Sequence, residues 1–113
     1  MKEFALTILL KDDPKLVEEY KEHHRKVWPE VEECIRSIGI SKMNIYLLGR
    51  RMFMVMEAPD DFDPATGFAQ LDGMSPRYEQ WQRLMDGYQE PVPETAEGEH
   101  WALMEQIYEL GSQ

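Results

Sequence analysis

The chain has 113 residues, 42% of them hydrophobic, and a formal net charge of -10 from 12 Lys+Arg against 22 Asp+Glu. This length suits one domain spanning 1–113 with one core, and the hydrophobic content excludes a disordered chain. No apolar run approaches the ~20 residues of a membrane span, and so acidic a surface repels a phosphate backbone, which excludes nucleic acid as a partner.

The first apolar stretch, Phe4 to Leu10, has no polar face and predicts a strand buried on both sides. Asp12, Asp13 and Pro14 follow it, with no small-residue cleavage site, so it reads as a strand and not as a signal peptide. An Asp cap with Pro at the first helical position opens a helix whose apolar face starts at Leu16, Val17 and Tyr20. In this helix Tyr20, His24 and Trp28 are spaced i, i+4, i+8 and would share one face while it runs straight. Pro29 prevents that: its ring clashes with the Arg25 carbonyl, predicting a break at Val27 and Trp28. Trp28 is thereby released from the shared face. Arg25 and Lys26 at the end of the first segment, and Glu30, Glu32 and Glu33 at the start of the second, match the dipole of each. The second segment turns Val31, Cys34, Ile35 and Ile38 inward and ends at Gly39. Cys34 is the only cysteine, so no internal disulfide forms; it reads as core filler in a cytoplasmic protein.

Met43–Leu48 and Met52–Ala58, joined by Gly49, Arg50 and Arg51, predict an antiparallel hairpin. Pro59 to Pro64 is turn-rich, and a helical pattern then runs from Pro64 to Tyr88, interrupted at Asp72 and Gly73 and restarted by a Ser75 cap. Tyr78, Trp81, Leu84, Met85 and Tyr88 form its apolar face. Gln89 to His100 reads as a loop, and Trp101 to Leu110 alternates as a final strand.

The order strand, helix, strand, strand, helix, strand predicts an α+β, ferredoxin-like βαββαβ sandwich with both helical layers on one face of the sheet. The other face carries large apolar side chains and predicts a homodimer packed sheet to sheet with further strand contacts.

His24 is the strongest candidate for chemistry, because imidazole exchanges protons near neutral pH and Tyr20, one turn earlier, can bond it or a substrate. The same spacing also fits a histidine satisfied within its helix. His23, about 100° round the helix, is expected to face solvent. Adjacent helix positions diverge and no i, i+4 partner completes a zinc pattern, so no metal is expected. Trp28, Trp81 and Trp101 fit core rings or an apolar platform for a sugar. No Gly-rich phosphate loop, GxSxG or Cys-x-x-Cys occurs, which leaves nucleotide chemistry, serine hydrolysis and dithiol redox without support.

Tyr20, His23, His24, Val27-Trp28-Pro29-Glu30-Val31, Gly39-Ile40, Asn44-Ile45-Tyr46-Leu47 and Trp81 with Met85 together resemble the L-rhamnose mutarotase family, which also contains L-fucose mutarotases. The resemblance covers nearly the whole chain. It implies a dimeric α+β barrel that interconverts the α and β anomers of a 6-deoxy-L-sugar with no cofactor or metal. The family's catalytic histidine falls on His24, its tyrosine on Tyr20 and its second-helix tryptophan on Trp81, with Trp28, Gln82 and Met43 as further substrate contacts. Where L-rhamnose enzymes commonly have Trp-Trp this chain has Trp81-Gln82, and where they often have tyrosine it has Met43. Phe53 to Glu57, Asp61-Phe62-Asp63-Pro64, and Trp101 with Met104 resemble the L-fucose members more closely, so L-fucose is expected ahead of L-rhamnose. A non-catalytic sugar-binding or regulatory dimer and a cofactor-free monooxygenase on the same fold are the alternatives.

Overall fold

The computed structural model describes residues 1–97 and 99–111. Gly98 of the expected 89–100 loop, and Ser112 and Gln113 of the expected 1–113 domain, lie outside the described residues.

Strand β1 runs Lys2–Leu10, and helix α1 follows at Pro14–Arg25. The Asp13 side chain accepts from the backbone N–H of Lys15 and so caps α1. Helix α2 begins at Pro29 and runs to Ser37, with Trp28 extended between the two helices, where Pro29 was expected to break them. Gly39 then takes φ +96, and a Cβ there would lie 2.6 Å from Cγ of Pro59, so this turn admits only glycine.

Strands β2, Lys42–Leu48, and β3, Arg51–Ala58, form the expected hairpin. A short helix α3 at Pro64–Gly67 leads into a 3₁₀ turn at Phe68–Leu71. Helix α4, Pro76–Asp86, is capped by the Ser75 hydroxyl, which accepts from Arg77 N–H.

The fourth strand comes in two pieces. β4, Gln89–Glu90, pairs with Leu9 and Leu10 of β1, while β5, Ala102–Leu103, pairs with Leu6 and Thr7. Arg50 holds the first piece by donating to the Leu10 carbonyl at 2.9 Å and by pairing with Glu90. Two expectations are corrected here. Gln89 and Glu90 are strand, and the alternation of 101–110 yields strand only at Ala102–Leu103; Ile107, Tyr108 and Leu110 are exposed. Alternation specifies a strand only where a neighbour accepts its hydrogen bonds, and past Leu103 the described pairing with β1 ends at the Met104 N–H, which donates to the Ala5 carbonyl at 2.8 Å.

Among the described residues the sheet order is β2-β3-β1-β4 with β5 also on β1, antiparallel throughout, which is the ferredoxin-like arrangement. Leu6 pairs with Met54, and Met54 with Ile45, so one set of alternate residues faces the helices. Leu6, Ile8, Leu10, Met52 and Met56 on that face are essentially inaccessible. The opposite face leaves Tyr46 58% and Leu48 84% exposed, with Phe53 beside them. Cys34 is a free, buried thiol in the core, as its neighbours in the sequence suggested.

Candidate active site

The helical layer and the inner face of the sheet enclose a cavity of about 790 Å³. That size lies within the range of small-molecule sites, roughly 300–1,000 Å³. Tyr20 and His24 of α1, Met43 of β2, and Trp81 and Gln82 of α4 all line it. These five expected site residues are therefore brought to one cavity from three elements. Asn44, Tyr78 and Trp101 add polar and aromatic wall.

The helix sets the relation between Tyr20 and His24. One turn apart, their rings stack with centroids 4.3 Å apart at an interplanar angle of 24°. The same turn brings His24 Nδ1 to 2.9 Å from the Tyr20 carbonyl oxygen. A carbonyl only accepts, so Nδ1 carries the proton and Nε2 of the neutral ring holds the lone pair. No described residue bonds that Nε2. The edge of Trp81, 5.4 Å between centroids, closes the other side of the imidazole. Burial lowers the His24 pKa below its ordinary 6.5, with the neighbouring His23 charge acting in the same direction and the Tyr20 carbonyl opposing. His24 is thus a neutral base at pH 7.

Burial acts in the opposite sense on Tyr20, pushing its phenol up to about 12, against a smaller lowering by the Gln89 hydrogen bond. At neutral pH this phenol keeps its proton. Gln89 donates to the Tyr20 hydroxyl oxygen at 3.0 Å.

Trp28 stands elsewhere. The Pro29 break swings it out of the cavity lining, and it packs against the back of Trp81 with centroids 5.2 Å apart. The Arg77 guanidinium covers the Trp28 ring at 3.8 Å, and its Nε donates to Glu30 at 3.3 Å. Trp28 thus buttresses the wall that Trp81 forms. Trp28, expected as a substrate contact, is not among the residues that line this cavity.

His23 is also corrected. It is half-buried, and its Nε2 lies 3.2 Å from the Tyr88 hydroxyl, which itself donates to Glu19 at 3.0 Å. Because Tyr88 gives its proton to the carboxylate, His23 donates to Tyr88. The ring is held by packing that Trp81 of α4 and Tyr88 beyond it bring across α1, which helix spacing within α1 does not reveal.

Sequence reasoning missed Gln89 and His100. Both line the cavity, and their side chains bond one another. Both sit in a polar stretch with no periodicity, and only the pairing of β4 with β1 turns Gln89 inward. Among the described residues no three His, Cys, Asp or Glu side chains are grouped to hold a metal ion, and no helix is long and apolar enough to cross a membrane.

A family model described as L-rhamnose mutarotase matches residues 3–110. A UPF0734 protein of Dictyostelium discoideum is 42% identical over 112 residues, covering 96% of this chain and 90% of that protein. The L-fucose mutarotase of Xanthomonas campestris pv. campestris is 35% identical over 112 residues, covering 97% and 89%. Among solved structures, an L-rhamnose mutarotase from Formosa agariphila superposes with a TM-score of 0.69 at 17% identity, over 97% of this chain and 99% of that one. The tetracenomycin F2 cyclase of Streptomyces glaucescens shares the fold, with a TM-score of 0.60 at 15% identity over all of both chains.

Proposed function

The chain belongs to the L-rhamnose mutarotase family, carbohydrate isomerases, and from that premise we propose that it interconverts the α and β anomers of L-fucose, with L-rhamnose as the second substrate. The observation that carries this reading is the Tyr20–His24 pair: a neutral base with a free lone pair stacked on a phenol that keeps its proton, both lining one cavity.

Anomer exchange needs one proton removed and one delivered. His24 Nε2 takes the proton of the C1 hydroxyl as the bond between C1 and the ring oxygen breaks. Tyr20 gives its proton to the departing ring oxygen. The open-chain aldehyde then turns about C1–C2, the ring oxygen attacks the other face of C1, and the two protons return to Tyr20 and to the new C1 hydroxyl. Each correctly placed acid or base contributes about 10²–10⁴ in rate. Trp81, held from behind by Trp28, supplies the apolar wall for the sugar's C–H face and methyl group, and Gln82 and Met43 contact its remaining edge.

Preference for L-fucose is supported by Gln82 and Met43 in place of the second tryptophan and the tyrosine expected for L-rhamnose, and by the 35% identity to a protein named L-fucose mutarotase. The chain acts in this reading as one domain in a cytoplasmic homodimer. Exposed Tyr46, Leu48 and Phe53 on the outer sheet face support the dimer, and the single reduced Cys34 is compatible with the compartment. NMR saturation transfer between anomers, run on L-fucose, L-rhamnose and D-galactose, tests the function. The expected order of acceleration is L-fucose, then L-rhamnose; binding of L-fucose with no faster exchange identifies a sugar-binding protein instead.

A further inference from the structure

Gln89 is the buried polar side chain among the described residues, and it belongs to a directed line of hydrogen bonds that ends at the proposed acid. The line starts at the surface. His100 Nε2 faces two oxygens, Oδ1 of Asp86 at 3.4 Å and Oε1 of Gln89. A carboxylate and an amide carbonyl oxygen both accept only, so Nε2 carries a proton. That fixes the Gln89 amide, because turning it over would set its NH₂ against the imidazole N–H. With Oε1 held by His100, Gln89 Nε2 donates to the Tyr20 oxygen at 3.0 Å. The Tyr20 oxygen is therefore an acceptor in this bond, and no other described residue bonds it. Its own O–H has no acceptor among the described residues and is left to the cavity that Tyr20 lines.

We propose that Gln89 and His100 are positioning residues that fix the direction of the Tyr20 hydroxyl, holding its oxygen from behind so that its proton is presented to the sugar's ring oxygen. The backbone supports the same arrangement. Gln89 pairs in register with Leu10, whose side chain is fully buried on the helix-facing side of the sheet. Alternation places Gln89 on that side as well, beneath Tyr20. An amide is suited to the task because it accepts at one end and donates at the other. A carboxylate at position 89 would accept at both ends, draw the Tyr20 proton toward itself and turn the hydroxyl away from the substrate.

This inference rests on the proposed role of Tyr20 and deepens it. The test measures kcat and KM of anomer exchange on L-fucose for wild type, Tyr20→Phe, Gln89→Glu, Gln89→Leu, His100→Ala and His100→Gln, with folding followed by circular dichroism. Gln89→Glu and Gln89→Leu are expected to lower kcat by about tenfold to a hundredfold, the range of a misaligned catalytic group, with KM nearly unchanged. His100→Ala is expected to show a smaller loss, again in kcat, and His100→Gln to recover most of it, since the glutamine amide can donate to the same two oxygens. If Gln89→Leu does not fold, the exposed His100 pair decides the matter. Wild-type kcat in Gln89→Glu, losses confined to KM, or no recovery in His100→Gln would overturn the proposal. Failure of the parent reading looks different: Tyr20→Phe then keeps the wild-type rate, or wild type itself accelerates no exchange.

Discussion

Tyr20 and His24 are joined twice, by ring stacking at 4.3 Å and by the 2.9 Å bond from His24 Nδ1 to the Tyr20 backbone carbonyl. The second link leaves the Tyr20 hydroxyl uninvolved, so the Tyr20 O–H and His24 Nε2 both stay without a hydrogen-bond partner among the described residues. Replacing His24 by Ala removes the base and leaves the phenol; anomer exchange should fall by about 10²–10⁴, while a thermal melt reports a folded protein. A retained rate with intact folding would remove His24 from the mechanism.

The two groups should also separate by pH. His24 ionises below 6.5, because burial disfavours its charged form. The rate on L-fucose should therefore climb with pH only through that acidic range and stay flat from pH 7 until the Tyr20 phenol ionises at about 12. Stability follows the same sign. The unfolded chain, with its histidine near 6.5, binds a proton before the folded chain does, so stability falls as pH drops below about 6.5 and reaches its full penalty below the depressed folded value. In Tyr20→Phe the rate should drop across the whole range while the position of the acidic limb is kept. An acidic limb that vanishes in Tyr20→Phe would contradict the division of roles.

Trp28 should act through Trp81. Trp28→Ala removes a half-buried ring that touches Trp81 on one side and Arg77 on the other. The expected stability loss is about half of the ~3–5 kcal/mol of a fully buried Trp→Ala change, and KM should rise more than kcat falls. Arg77→Ala leaves the ring in place and should change both far less. Denaturant titration and exchange kinetics on the two variants give the comparison, and equal effects would contradict the buttress.

Gly39→Ala should destabilise by about 1–3 kcal/mol, the cost of a residue held in a disfavoured backbone region, to which the Pro59 contact at 2.6 Å adds. Gly49 makes the control. Its φ is also positive, at +61, but a Cβ there meets nothing within 4 Å, so Gly49→Ala should cost less. Urea midpoints measure both.

On the outer sheet face, Leu48→Asp places a charge at a side chain that is 84% exposed in the single chain. If that face is the homodimer contact, sedimentation should shift from dimer to monomer, with the fold kept because no core contact is lost.

Punctuation was the legible part of this chain. Asp13, Pro14, Pro29, Gly39 and Ser75 act within a few residues of themselves, and each marks its helix end in the structure as it does in the sequence. The Tyr20–His24 spacing is equally local, since one turn of α1 suffices to bring them together. Trp28, His23 and Gln89 were not legible because their surroundings come from α4 and β1, many residues away. The closing strand failed for a related reason. Residues 101–110 alternate as a strand should, but alternation does not name a neighbour, and β1 takes up only Ala102 and Leu103.

The divided fourth strand has a consequence for how such a site can change. Both pieces return to the same edge of β1, separated there by Ile8 alone, so the described residues 91–97 and 99–101 belong to a detour inserted into one strand. That detour contributes Glu99, His100 and Trp101 to the cavity, whereas Tyr20 and His24 stand on a helix it does not interrupt. With His100 kept, its length and remaining side chains can therefore be rewritten without disturbing sheet register or the turn that carries Tyr20 and His24. Exchanging the segment between relatives while keeping His100 is a direct route to an altered cavity wall beside an unaltered Tyr20–His24 pair.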